Sequence, residues 1–143
     1  MRRVFPKLTR PQKVVVALAV LFFVLGTMQA GRMALALRTA ARLPDLPLTV
    51  SLDYLALTSG VWSAALLACA VGLVWFRPWG RWMALGASLA YQAHRWADRL
   101  LFDASDYALR TRPRDLVLTV LFLALVWGVL NWPSVRRVFR ANL

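Results

Sequence analysis

His94 and Asp98 form the pair of residues in this sequence whose types and spacing best fit a chemical site. They lie four positions apart in a stretch with helical spacing, and residues at positions i and i+4 are neighbours on one face of a helix. A carboxylate in that position can orient an imidazole, as in a proton relay or a site for a polar head group. Whether the pair has one of these roles or a structural role depends on the polar residues that lie at the same membrane depth.

Each of the four apolar segments places polar residues at the same depth in the membrane as His94 and Asp98. This depth is obtained by counting a rise of about 1.5 Å per residue along each predicted helix. We call this set the polar belt, and its members are Arg32, Asp53, His94, Arg95, Asp98, Arg99 and Asp115. Three arginines accompany three aspartates, so the formal charges balance. Ion pairs that close one end of a helix bundle account for the belt, and this structural role is favoured because no catalytic spacing is present.

Catalysis, metal binding and cofactor binding lack their usual residue patterns. One histidine, one cysteine and no glutamate do not suffice for a closed zinc site or a bis-histidine haem site within one chain. The segment around Pro78 and Gly80 lacks the spacing and the lysine of a phosphate-binding loop, and no serine lies in a nucleophile-elbow sequence. We therefore expect no catalytic residue, no metal and no cofactor, and we predict that the chain is not an enzyme.

Four apolar segments must position the polar belt. Hydrophobic residues make up 60% of the 143 residues, more than in an ordinary soluble domain. The segments cover approximately residues 14–38, 48–76, 79–102 and 115–132. A hydrocarbon core of about 30 Å requires a helix of about 20 residues, and the third segment, cleanly apolar only to about Ala93, needs neighbours in order to cross. The sequence predicts one all-α domain, residues 1–143, folded as an integral membrane four-helix bundle.

The distribution of charge predicts the orientation of the bundle. The formal net charge is +12, from 18 Lys and Arg and six Asp. One end of the segments carries basic residues without any acid, namely Arg2, Arg3, Lys7, Arg10, Lys13, Arg77, Arg81, Arg136, Arg137 and Arg140. The same end carries an expected interfacial belt of Trp75, Trp79, Trp82 and Trp132. At the other end lie Arg32, Arg38, Arg42, Arg95, Arg99, Arg110, Arg112 and Arg114, interleaved with all six aspartates.

Basic residues concentrate on the cytoplasmic side of membrane proteins, so both termini are expected to be cytoplasmic and to meet anionic lipid. The predicted location is a membrane, with several crossings, and a bacterial-type plasma membrane in particular. Basic residues that flank apolar runs also argue against a nucleic-acid partner, which would require a solvated basic face.

Small residues at four-residue spacing form a packing stripe on the second and third segments. Its members are Gly60, Ala64, Ala68, Gly72, Gly86 and Ala90. Such residues let helices approach closely in lipid, and we expect them to form seams within the bundle. The alternative is a stripe that faces outward and docks against another protein.

These features predict a non-enzymatic accessory, structural or assembly subunit of a larger membrane complex, with other membrane protein subunits as partners. The alternative is a small transporter or channel, or a protein that binds lipid or quinone, with the polar belt as its site. A functional belt should contain an ionisable group that lacks a countercharge. The balance of formal charge in the belt therefore favours the accessory role.

Overall fold

The computed structural model describes residues 8–42, 51–102 and 106–140, and 94% of these residues are helical. The elements are α1 (Arg10–Arg42), α2 (Leu52–Val74), α3 (Pro78–Phe102), α4 (Asp106–Asn131) and α5 (Pro133–Arg140). No strand occurs in these three ranges, so the prediction of an all-α fold is confirmed. The start of the second predicted segment, at residue 48, lies outside the described residues.

Local sequence explains where α2 begins and ends. Ser51 is the N-cap, and its hydroxyl accepts a hydrogen bond of 3.2 Å from the Tyr54 backbone N–H, which satisfies one of the free donors of the first turn. At the other end the Arg77 N–H bonds to the Gly72 carbonyl at 3.1 Å, and Phe76 adopts a left-handed φ of 51°. This pattern is a Schellman ending. Burial of the Phe76 ring against the core helps offset the strain of a left-handed φ in a bulky residue.

The long helices pack in the order α1, α2, α3, α4, and α4 returns to contact α1. Neighbouring helices run antiparallel. In the pair α1 and α2, Gly26 lies against Leu67 and the later residue Met33 lies against the earlier residue Gly60. In the pair α2 and α3, Tyr54 bonds to Asp98 and Gly72 lies against Gly80. The short helix α5 contacts α1, α3 and α4 and lies across the end where α2 turns into α3. A single core runs between the helices, and its fully buried side chains include Phe22, Leu66, Cys69, Leu73, Val126 and Leu130.

Three of the described helices are long and apolar enough to cross a membrane, namely α1, α2 and residues Arg110–Asn131 of α4. The chain therefore has the helical, membrane-type architecture that its composition predicts. Although α3 has 25 residues, it is not among the three, because polar and charged residues alternate with its apolar ones.

The tightest approach between helices joins α2 to α3. A Cβ atom built on Gly80 would lie 2.4 Å from the carbonyl carbon of Gly72 and 2.6 Å from its oxygen. Real Cβ atoms do not approach this closely, and the atoms in the way are backbone, so a larger residue at either position must separate the two helices.

Replacing Gly80 with alanine is expected to lower the free energy of unfolding by about 2 kcal/mol, as overpacking does in well-packed cores. The measurement is a denaturant titration in detergent micelles followed by circular dichroism. Gly31→Ala is the matched control, because a Cβ at Gly31 meets nothing within 4 Å and alanine favours the helix by up to about 1 kcal/mol. Equal effects of the two substitutions would show that α2 and α3 do not touch here.

Candidate functional site

Four residues of the polar belt belong to two clusters, of which the first joins α2 to α3. The His94 Nε2 atom lies 3.3 Å from Oδ2 of Asp98, and the Tyr54 hydroxyl donates a hydrogen bond of 2.7 Å to Oδ1 of the same carboxylate. The His94 ring also packs near the Trp62 ring, with centroids 5.6 Å apart. Asp98 thus orients an imidazole and a phenol at the same time.

This first cluster has the residues of a proton relay but is partly open. The side chains of His94 and Asp98 are 25% and 36% exposed, so water reaches both. The interactions of Tyr54 and His94 account for both oxygens of Asp98, which leaves the carboxylate well satisfied. The hydrogen bond between Tyr54 and Asp98 therefore connects the start of α2 to the end of α3.

The second cluster joins α3 to α4. Arg99 forms an ion pair with Asp115 and donates a hydrogen bond to the Thr111 hydroxyl, while Arg114 Nε lies 3.3 Å from the other oxygen of Asp115. The Arg99 guanidinium also lies 6.0 Å from the centroid of the Trp96 ring. These contacts tie the end of α3 to the first half of α4.

The structure does not bring the remaining belt residues into these clusters. Arg32, Asp53 and Arg95 are exposed, and within the described ranges they form no ion pair. Asp53 occupies the first turn of α2, where a negative charge is favoured by the helix dipole. The formal charges of the belt balance. In the described ranges, however, the belt residues form two ionic contacts with one another, His94 with Asp98 and Arg99 with Asp115.

Arg95 instead lines a cleft of about 190 Å³ between α1, α3 and α4. One wall is polar and contains Gln92, Asp115 and Thr119, and the Thr119 hydroxyl contacts the Gln92 amide oxygen at 3.4 Å. The other wall is apolar, with Leu25, Leu118 and Phe122. The cleft thus has an amphipathic lining with a cation at its edge.

Comparisons with protein-family models, with curated proteins and with solved structures find no match to this chain. The residues themselves therefore carry the functional argument.

Two polar contacts of this region were absent from the sequence prediction. The Gln29 side chain of α1 donates a buried hydrogen bond of 2.6 Å to the Tyr91 hydroxyl of α3, and Tyr54 bonds to Asp98 across 44 positions of sequence. Such pairs have no local spacing to reveal them. A weaker signal was available for Tyr91, which shares a helical face with Ser88 and Gln92, both buried.

The packing stripe also separates into inward and outward members. Gly72 faces Gly80, and a Cβ on Gly60 would meet the Met33 sulfur at 2.8 Å, while Ala68 is half-buried. The exposed members are Ala64, Gly86 and Ala90, and a Cβ at Gly86 meets nothing within 4 Å.

Asp98→Asn is expected to lower the free energy of unfolding by about 1 kcal/mol, because it weakens the contacts with His94 and Tyr54 in a partly exposed setting. Asp53→Asn removes the same charge from a position without an ion pair in the described part of the chain, and it should cost about 0.5 kcal/mol or less. Denaturant titrations of both variants in the same detergent measure the difference. A cost for Asp53→Asn as large as that for Asp98→Asn would contradict the bridging role of Asp98.

Proposed function

We propose that this protein is a four-span membrane protein with both termini in the cytoplasm, and that it acts as a non-enzymatic accessory subunit of a larger membrane complex. The observation that carries the proposal is the outward face of α3. By this face we mean the side of α3 that carries Gly86, Ala90, Ala93 and Ala97, which is exposed, uncharged and lined with small residues where a partner helix would cross.

The first step is that α3 can serve as the fourth span. One exposed side of α3 has no charged residue and consists of Trp82, Gly86, Leu89, Ala90, Ala93, Ala97 and Leu100. Arg95 is also exposed, but by helical spacing it lies on the opposite side of α3, where it lines the cleft toward α1 and α4. The buried polar side chains of α3 also point away from the uncharged side, toward the other helices. At about 1.5 Å per residue, its 25 residues reach about 37 Å, which exceeds a hydrocarbon core of about 30 Å.

The second step concerns what this face would contact. Gly86, Ala90, Ala93 and Ala97 follow one another at spacings of four, three and four residues, so they form one continuous line on the helix. Small residues along such a line let the backbones of two helices approach closely, and van der Waals packing then favours association in lipid. The occupant we propose is an apolar transmembrane helix of another membrane protein.

The exposed face of α4 offers a contrast. It presents bulky aliphatic residues, including Val117, Leu121 and Leu125, each more than half exposed. Such bulky side chains suit fluid lipid chains, and this side of α4 has just two small exposed residues at four-residue spacing, Ala124 and Gly128. The line of four small residues on α3 is therefore longer than the pair on α4.

The third step concerns orientation. The end of the molecule that carries Arg77 and α5 exposes Trp75, Trp82 and Trp132, each at least 63% exposed. Exposed tryptophans beside arginines are typical of a membrane interface, and an excess of arginine is typical of its cytoplasmic side. Both the start of α1 and the whole of α5 lie at this end, which supports cytoplasmic termini.

Ala90→Leu is expected to release the partner polypeptide, because a leucine on the small-residue line holds the two helices apart. The measurement is affinity purification from the native membrane in a mild detergent, with the stoichiometry of co-purifying polypeptides determined by mass spectrometry. Ala17→Leu on the exposed side of α1, between the exposed side chains of Val14 and Val20, is the control and should retain the partner. Both variants should unfold at the same denaturant concentration as the wild type, because both positions are exposed.

Three outcomes would contradict the accessory role. The first is a chain that purifies as a homo-oligomer and transports a solute in proteoliposomes. The second is a chain that purifies alone with a bound lipid or quinone, which would favour the cleft beside Arg95 as the functional site. The third is loss of the partner from the Ala17→Leu variant but not from Ala90→Leu.

A further inference from the structure

Arg81 is a buried cation whose hydrogen-bond partners are neutral. It is 9% exposed, its Nε donates to the Leu130 carbonyl at 2.9 Å, and its Nη2 donates to Oδ1 of Asn131 at 2.7 Å. Helix α4 stops at Asn131 before Pro133, so the Leu130 carbonyl lacks a partner within its own helix. The arginine satisfies that carbonyl, but its charge remains uncompensated by any acid in the described ranges.

Helix α5 brings two more arginines to the same place. Val135 and Phe139 of α5 are buried, and the Phe139 ring packs near the Phe76 ring with centroids 6.5 Å apart, which anchors α5 against the turn between α2 and α3. On the side of α5 next to α3, Arg136 and Arg140 line a cavity together with Arg81.

The cavity has the lining of an anion site. Its volume is about 230 Å³, and its walls are Pro78, Arg81, Trp82, Arg136, Phe139 and Arg140. Three cations and no carboxylate line it, so the guanidinium groups repel one another until an anion enters. The Arg81 guanidinium lies 4.8 Å from the centroid of the Trp82 ring, which restricts its orientation.

The position of the cavity indicates the source of the anion. Trp82 is 65% exposed at the end that carries the other interfacial tryptophans, the level at which lipid head groups lie. Arginine binds phosphate oxygens through paired N–H donors, and α5 is an amphipathic helix with its arginines on the polar side, as in helices that rest on anionic lipid.

We propose that the cavity between α3 and α5 binds the phosphate group of an anionic phospholipid, held by Arg81, Arg136 and Arg140. This inference rests on the membrane embedding proposed above but not on any partner protein. The lipid phosphate neutralises the cluster and ties α5 to the start of α3, while the acyl chains extend along the exposed apolar surface below Trp82.

The test is native mass spectrometry of the purified protein titrated with phosphatidylglycerol and, separately, with phosphatidylcholine. Wild type should retain phosphatidylglycerol preferentially. The double variant Arg136→Gln/Arg140→Gln should weaken phosphatidylglycerol binding about 30-fold, since each basic residue near an anionic surface contributes about a factor of five. Arg81 is left in place because it supports the end of α4.

The matched control is the double variant Arg77→Gln/Arg137→Gln, which removes the same charge from exposed positions outside the cavity and should stay within about threefold of wild type. Equal weakening in both double variants would overturn the site, because it would indicate general surface attraction. Displacement of the lipid by millimolar inorganic phosphate would overturn the lipid as the ligand. The Ala90→Leu variant tests the two proposals separately, because it should lose the partner protein and keep its lipid binding.

Discussion

The polar side chains of α3 are the constraint on which the rest of the structure depends. Lipid offers neither hydrogen bonds nor countercharges, so each polar group of a membrane helix needs a partner inside the protein. The neighbours of α3 supply them: α2 provides Tyr54 for Asp98, and α4 provides Asp115 for Arg99 and the Leu130 carbonyl for Arg81. The side of α3 that carries Gly86, Ala90, Ala93 and Ala97 has no charged residue, as the proposed membrane crossing of α3 requires.

The two ends of the molecule use their charges in different ways. At the end with the polar belt, arginines and aspartates occur together, and ion pairs connect α3 to α4. At the end with α5, arginines lie beside exposed tryptophans without an acid in the described part of the chain. The ion pairs at the end with the polar belt stabilise contacts between helices of the protein. Without such ion pairs in the described ranges, the arginines at the end with α5 leave positive charge available to an external anion.

Sequence patterns with a short range predicted much of the fold. The long apolar runs gave α1, α2 and most of α4, and the i, i+4 spacing of His94 and Asp98 is enough to place them in contact. Pro133 marked the end of α4. Helix α5 was missed because its eight residues contain just three apolar positions, Val135, Val138 and Phe139, and so give too short a periodic pattern.

Contacts between distant residues were beyond this reasoning. Gln29 and Tyr91 are 62 positions apart, and no local spacing relates them. The small residues show the same limit: Gly72 and Gly86 belong to similar patterns, yet Gly72 is buried against α3 and Gly86 faces outward. Which glycine lies in a seam depends on how the helices are rotated, and this rotation is set by packing and by the partners of polar groups.

Whether α3 crosses the membrane decides on which side α5 lies. Single cysteines at Thr9 and Ser134, both exposed, can be placed in a Cys69→Ala background and treated with a membrane-impermeant maleimide in intact and permeabilised cells, with Ala41→Cys marking the opposite end of α1. Four crossings predict that Thr9→Cys and Ser134→Cys react only after permeabilisation, whereas Ala41→Cys reacts in intact cells. Labelling of Thr9→Cys and Ser134→Cys from opposite sides would mean three crossings and would place α3 outside the hydrocarbon core.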